Sequence, residues 1–172
     1  MEEKPSTARV ALKWGLILGL VLIVYSLLLF LTNTFGDSRL GWVSTALSIG
    51  GLVLAMREFR TLNRGYMTYG EGVGIGTLTA AISGLLSALF TTFYTTIIDP
   101  NVMQQMVEKV RAQYEDRGMS DEQIDQAMSM VEKMQSPGIT FAFSVIGAAV
   151  FGLLLSLIIA AIMRRNRANP FD

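Results

Sequence analysis

The placement of charge constrains this chain more than any other feature. The intervals Lys13 to Asp37, Arg39 to Arg57, Glu71 to Asp99 and Lys133 to Arg164 enclose 23, 17, 27 and 30 residues without a charged side chain. A helix rises about 1.5 Å per residue, so about 20 mostly apolar residues cross a bilayer core about 30 Å thick. No water is present there to satisfy an open amide, so each interval must be helical along its length. Only 16% of the 172 residues are charged, against roughly 25% in soluble domains. The expected fold is therefore all-α: a four-helix transmembrane bundle with spans at about 10–31, 41–56, 72–98 and 139–163. The first run, WGLILGLVLIVYSLLLFL, exceeds a signal-peptide core in length and lacks an A-x-A pattern after it. It reads as a retained span.

The same composition removes several chemistries. There is no Cys and no His, so thiolate nucleophiles, disulfides, the commonest general base and the commonest metal ligand are all missing. A net charge of zero argues against a nucleic-acid partner. Asp121, Glu122 and Asp125 cluster where a helix start favours acids in any case, so weak divalent-cation binding is the less economical reading. Gly70, Gly72, Gly74 and Gly76 resemble a phosphate-cradling loop only superficially, since no GK[ST] follows. No catalytic residue, cofactor or metal site is expected.

Small residues are placed with more purpose. Gly72, Gly76, Ala80, Gly84 and Ala88 fall every fourth residue along the third span, and Thr92 and Thr96 continue the series. Ser144, Ala148, Gly152, Ser156 and Ala160 repeat the pattern along the fourth. Residues four apart lie nearly above one another, so each row is a smooth ridge. In lipid, two such ridges let helices approach backbone to backbone. The third and fourth spans are therefore expected to pack on each other. Ala11, Gly15 and Gly19 form a shorter ridge on the first span, and Ser44, Thr45 and Ser48 place hydroxyls on the second.

Between the ridges the chain leaves the membrane, over residues 100–135. Asp99-Pro100 is a helix-start signal, Gly118 a stop, and Ser120 with Gln123 a second start. Met103, Met106, Val107, Val110 and Tyr114 share one face of the first helix; Ile124, Ala127, Met128, Val131 and Met134 stripe the second. Residues 99–133 hold eight acidic and four basic side chains, an acidic helical hairpin. Met-rich faces adapt to varied surfaces, so Met103, Met106, Val110, Met128 and Val131 form a candidate partner face. Self-burial within the hairpin is the plainer use of the same stripe. The segment 57–71 reads as a basic loop, with Glu71 favourably placed at the start of the third span.

Orientation follows from Lys and Arg. The N-terminus, the 57–71 segment and the C-terminus carry three each, the turn between spans one and two only one. The positive-inside rule puts both termini in the cytoplasm and residues 100–135 outside, in the periplasm of an inner-membrane protein.

The run Gly65-Tyr66-Met67-Thr68-Tyr69-Gly70-Glu71-Gly72 with Gly76 resembles the entry to the third helix of a bacterial membrane family. So do Ile98-Asp99-Pro100, the GMSDEQIDQAM segment and the Ser-Pro exit. The family is the domain of unknown function 4199, found mostly in Bacteroidota. The similarity spans about residues 8–166 and departs at Val73, where a bulky aromatic is common. It implies a four-helix inner-membrane protein and brings no activity with it.

Three functions are then weighed. A structural or interaction protein uses the hairpin and ridges to dock a protein partner or a second copy. A small transporter or channel subunit is the alternative, opposed by the absence of charge and Pro inside the spans. An enzyme is not expected.

Overall fold

A computed structural model describes residues 5–134 and 136–165, except the side chains of residues 38 and 132–134, so Met134 of the second stripe lies outside the described side chains. The order is α1 (Thr7–Leu31), α2 (Ser38–Leu62), α3 (Tyr69–Phe93), α4 (Asn101–Asp116), α5 (Asp121–Met134) and α6 (Pro137–Met163). A π-helical turn, Tyr94–Ile98, prolongs α3. Four helices, α1, α2, α6 and α3 with its π turn, are long and apolar enough to cross a membrane. The fold is an all-α membrane bundle with a helical pair inserted between the last two spans.

α3 is the hub. It packs chiefly on α6 and α1, and more lightly on α2. Gly15 meets Ile82 and Gly19 meets Leu86, positions that advance together, so α1 and α3 run parallel. Gly72 meets Ala160 and Gly84 meets Ala148, positions that advance oppositely, so α3 and α6 run antiparallel. The largest cluster of buried side chains gathers Leu52, Met56 and Phe59 of α2 with Ile75 of α3 and Ile159 of α6. It sits in the half of the bundle nearer the chain ends.

α2 is longer than the charge gap implies, running on to Leu62 where residues 57–71 read as a loop. Within these extra turns Glu58 and Arg60 find partners across the bundle. Glu58 accepts from Lys13 Nζ at 2.9 Å and from Trp14 Nε1 at 2.8 Å, tying α2 to α1. Arg60 Nη1 donates to the Met163 carbonyl at 3.3 Å, covering the open end of α6. Only a short turn remains before α3, held by Asn63 Nδ2 donating to the Tyr66 carbonyl at 2.9 Å. α3 then starts on a capping box: the Glu71 amide donates to Thr68 Oγ1 at 3.3 Å and the Thr68 amide to Glu71 Oε2 at 2.8 Å. Backbone bonds between Met67 and Arg165, at 3.0 and 2.8 Å, fasten this turn to the chain leaving α6.

At the opposite end the chain reverses within residues 32–37, where Asn33 takes a positive φ of 56° and the Asp37 carboxylate caps α2 by accepting from the Arg39 amide at 2.8 Å. The π turn leaves α3 with Asp99 N donating to the Tyr94 carbonyl at 2.9 Å. Asp99 Oδ1 accepts from the Asn101 amide at 3.1 Å and so starts α4. α4 ends at Gly118, whose φ of 72° suits glycine. The Met119 amide bonds the Tyr114 carbonyl and the Gly118 amide the Glu115 carbonyl, the two bonds of a Schellman stop. The Ser120 amide donates to Gln123 Oε1 at 3.1 Å at the start of α5.

Candidate functional site

Three features of the bundle have the form of a site: the ridge contact, the docked hairpin and a cavity between spans. The ridges of α3 and α6 face each other in register. A Cβ added at Gly72 would lie 2.8 Å from the Ala160 Cβ, and one at Gly76, Gly84 or Gly152 would run into Ser156, Ala148 or Ala80. Each glycine thus stands opposite a small side chain that fills its place. By contrast Gly70 and Gly74 have nothing within 4 Å, so the glycine-rich run splits into a packed row and an open row. The ridge is closed over four of its five steps. Ala88 is buried, but Ser144 is exposed, and both line a cavity where the helices part. On the other face of α3, Ala11, Gly15 and Gly19 seat α1. Thr79 Oγ1 lies 3.5 Å from the Ala11 carbonyl, and Ile82 and Leu86 cover the two glycines.

The hairpin is docked rather than loose. Phe35, Tyr94 and Val102 are buried together, with Phe30, Phe90 and Met106 around them. The rings of Phe30 and Tyr94 stack with centroids 4.6 Å apart. Lys109 reaches back from α4 to the turn between α1 and α2. Its Nζ donates to the carbonyls of Asn33 and Phe35, at 3.0 and 2.9 Å, and sits 3.8 Å from the centre of the Phe35 ring. At the π turn Tyr94 faces inward while Phe93 stays outward. The aromatic residues ending α3 therefore divide between a core and the lipid face.

The candidate partner face is partly used by the hairpin itself. Met128 and Ile124 of α5 are buried at 6% and 1% exposure, and α5 packs chiefly on α4. Met103, Met106, Val110 and Val131 are half-buried. Met130 points the other way at 67% exposure; Asp121, Glu122 and Asp125 are exposed elsewhere around the helix. Arg111 ties the helices at the rim, with Nη2 3.6 Å from Asp125 Oδ1. Among the described residues, no three His, Cys, Asp or Glu side chains converge on a point.

The cavity lies between α1, α2, α3 and α6, with a volume of about 230 Å³. Leu18, Leu52, Phe151 and Leu155 supply its apolar wall, and Ser48, Ser83, Ser87, Thr91 and Ser144 its hydroxyls. Ser48 donates to the Ser44 carbonyl at 2.9 Å and Ser83 to the Ala80 carbonyl at 3.1 Å, which tames their polarity in lipid. Among the described residues, no charged side chain borders it. Sequence reading did not find this cavity or the Lys109 contact. Both depend on which helices meet, whereas the capping box of Thr68 and Glu71 is a purely local pattern.

Together these features define a four-span helical membrane protein with an extramembrane helical hairpin fixed to one end. The chain belongs to the family described as Protein of unknown function (DUF4199), whose model matches residues 13–165. No curated protein and no solved structure matches it.

Proposed function

We propose that this is a non-enzymatic interaction protein of the bacterial inner membrane, in which the bundle anchors the hairpin and presents α5 to a second polypeptide or a second copy. The observation that carries this reading is the unequal treatment of the two hairpin helices. α4 is clamped to the bundle through Val102, Met106 and Lys109, whereas α5 packs chiefly on α4 and turns Met130 and its acids outward. A helix held in place yet little used by its own fold is suited to display. In this reading both termini are cytoplasmic and residues 100–135 periplasmic, supported by the distribution of Lys and Arg.

The test is a photo-crosslinking residue at Met130 in native membranes, followed by purification in mild detergent. Capture of another chain, of the same or a different kind, is the expected result. Crosslinks confined to the parent chain would remove the reading. A small carrier is the second reading, favoured by the hydroxyl-bearing cavity. If the purified protein in liposomes passes no small polar solute, or passes it equally after Thr91→Val, that reading fails.

A further inference from the structure

The end of the bundle bearing the chain termini gathers arginines from two spans. The Arg60 to Met163 contact lays the last turn of α2 against the last turn of α6. Arg57 precedes Arg60 by one turn, and Arg164 and Arg165 follow Met163 at once, with Arg165 held in place by its backbone bonds to Met67. The side chains of Arg57, Arg164 and Arg165 are exposed and that of Arg60 is half-buried. Among the described residues, Glu58 receives Lys13 and Trp14, and Glu71 closes the capping box. Positive charge is therefore concentrated where α2 and α6 reach the membrane surface.

The same two helices flank the cavity, whose apolar wall includes Leu52 of α2 and Leu155 of α6. Leu52 is five residues from Arg57 and Leu155 nine from Arg164, so about 8 and 13 Å separate the arginines from the cavity along the helices. Half of the hydrocarbon core is about 15 Å thick, so an acyl chain whose headgroup sits at the arginines reaches that depth.

We propose that the α2–α6 seam is a phospholipid site. The phosphate of an anionic phospholipid lies among Arg57, Arg60 and Arg164, and one acyl chain runs along the lipid-facing side of the seam, outside the buried Met56, Phe59 and Ile159, to the cavity. Charge complementarity selects the headgroup, because guanidinium groups bind phosphate oxygens through several N–H donors at once. The leucine and phenylalanine wall suits a hydrocarbon chain. Basic pockets between spans at a membrane surface recognise anionic lipids by the same physics.

The experiment uses the full chain in mild detergent and reads its thermal unfolding and the lipid it retains in native mass spectrometry. Four probes are added in turn: long-chain phosphatidylglycerol, phosphatidylcholine with the same chains, dihexanoyl phosphatidylglycerol and inorganic phosphate. Retention and stabilisation are expected with the first and much less with the other three. The exposed double variant Arg57→Gln/Arg164→Gln should weaken retention about thirtyfold, since each arginine near a charged surface contributes about 1 kcal/mol. Equal effects of the two long-chain lipids, or a double variant that retains phosphatidylglycerol as the parent does, would overturn the headgroup assignment. Dihexanoyl lipid or free phosphate acting as strongly as the long-chain lipid would overturn the acyl-chain assignment.

Discussion

Lys109 shows how one side chain decides where an extramembrane helix sits. Its ammonium group satisfies two carbonyls in the turn between α1 and α2 that the helices leave open, and it lies over the Phe35 ring. Lys109→Met keeps the stem and removes the charge. It is expected to cost about 1–2 kcal/mol and to speed amide exchange across α4, read by hydrogen exchange in detergent. Unchanged exchange would show that the aromatic cluster alone holds α4. Nothing in the sequence marks this lysine, because its partners lie 74 and 76 residues away. Glu58 was hidden for the same reason. In the sequence it is one charge of a basic segment, and only the packing of α1 on α2 shows it shared between Lys13 and Trp14. The start of α3 was legible in principle, because Thr-x-x-Glu before an apolar run is a local code.

At the scale of the helices, the spans could be read from the charge gaps because burying an unpaired charge in lipid is costly. The exception is α2, where Arg57, Glu58 and Arg60 stay helical beyond the gap because long side chains carry their charge to the surface or to a partner. The π turn was not legible either. It accompanies the stacking of Tyr94 on Phe30, a contact between distant parts of the chain that no local pattern announces. The ridge residues lie where small side chains are needed for close approach. Gly84→Leu would force several carbons into the space of Ala148, and Gly76→Leu into that of Ser156. Each should destabilise the bundle by about 3 kcal/mol or more, seen as a large fall in the thermal midpoint in detergent. Leu85 is 42% exposed on the lipid side, so Leu85→Val should stay within about 0.5 kcal/mol of the parent. Leu86 is no such control, because it covers Gly19. If Gly84→Leu melts as the parent does, α3 and α6 do not meet along this row.

For the molecule as a whole, α3 touches every other span, α1 running parallel to it on one face and α6 antiparallel on another. The pairing of α3 with α6 was readable from matched ridges. The partner of Ala11, Gly15 and Gly19 was not, because a short row of small residues does not name what fills it; here it is Thr79, Ile82 and Leu86, not a third ridge. The cavity is a consequence of the same arrangement, since the α3–α6 contact is tight toward the chain ends and opens at Ala88 and Ser144. For the orientation proposed above, single cysteines at Asp121 and Ser6 should differ in labelling by a membrane-impermeant maleimide, Asp121→Cys reacting from outside and Ser6→Cys only after permeabilisation. The reverse pattern would invert the protein and move the displayed hairpin to the cytoplasm.

The central claim is the antiparallel register of α3 on α6, and the lack of native cysteine makes it directly measurable. Ala160→Cys combined with Gly72→Cys starts from a Cβ separation of 2.8 Å, so the helices part by about 1 Å to reach the roughly 3.8 Å of a disulfide. Ala160→Cys combined with Gly74→Cys places the second thiol on the open row. Mild oxidation in membranes should bridge the first pair within one chain and leave the second reduced. Bridging of the second pair, or of neither, would contradict the fold described.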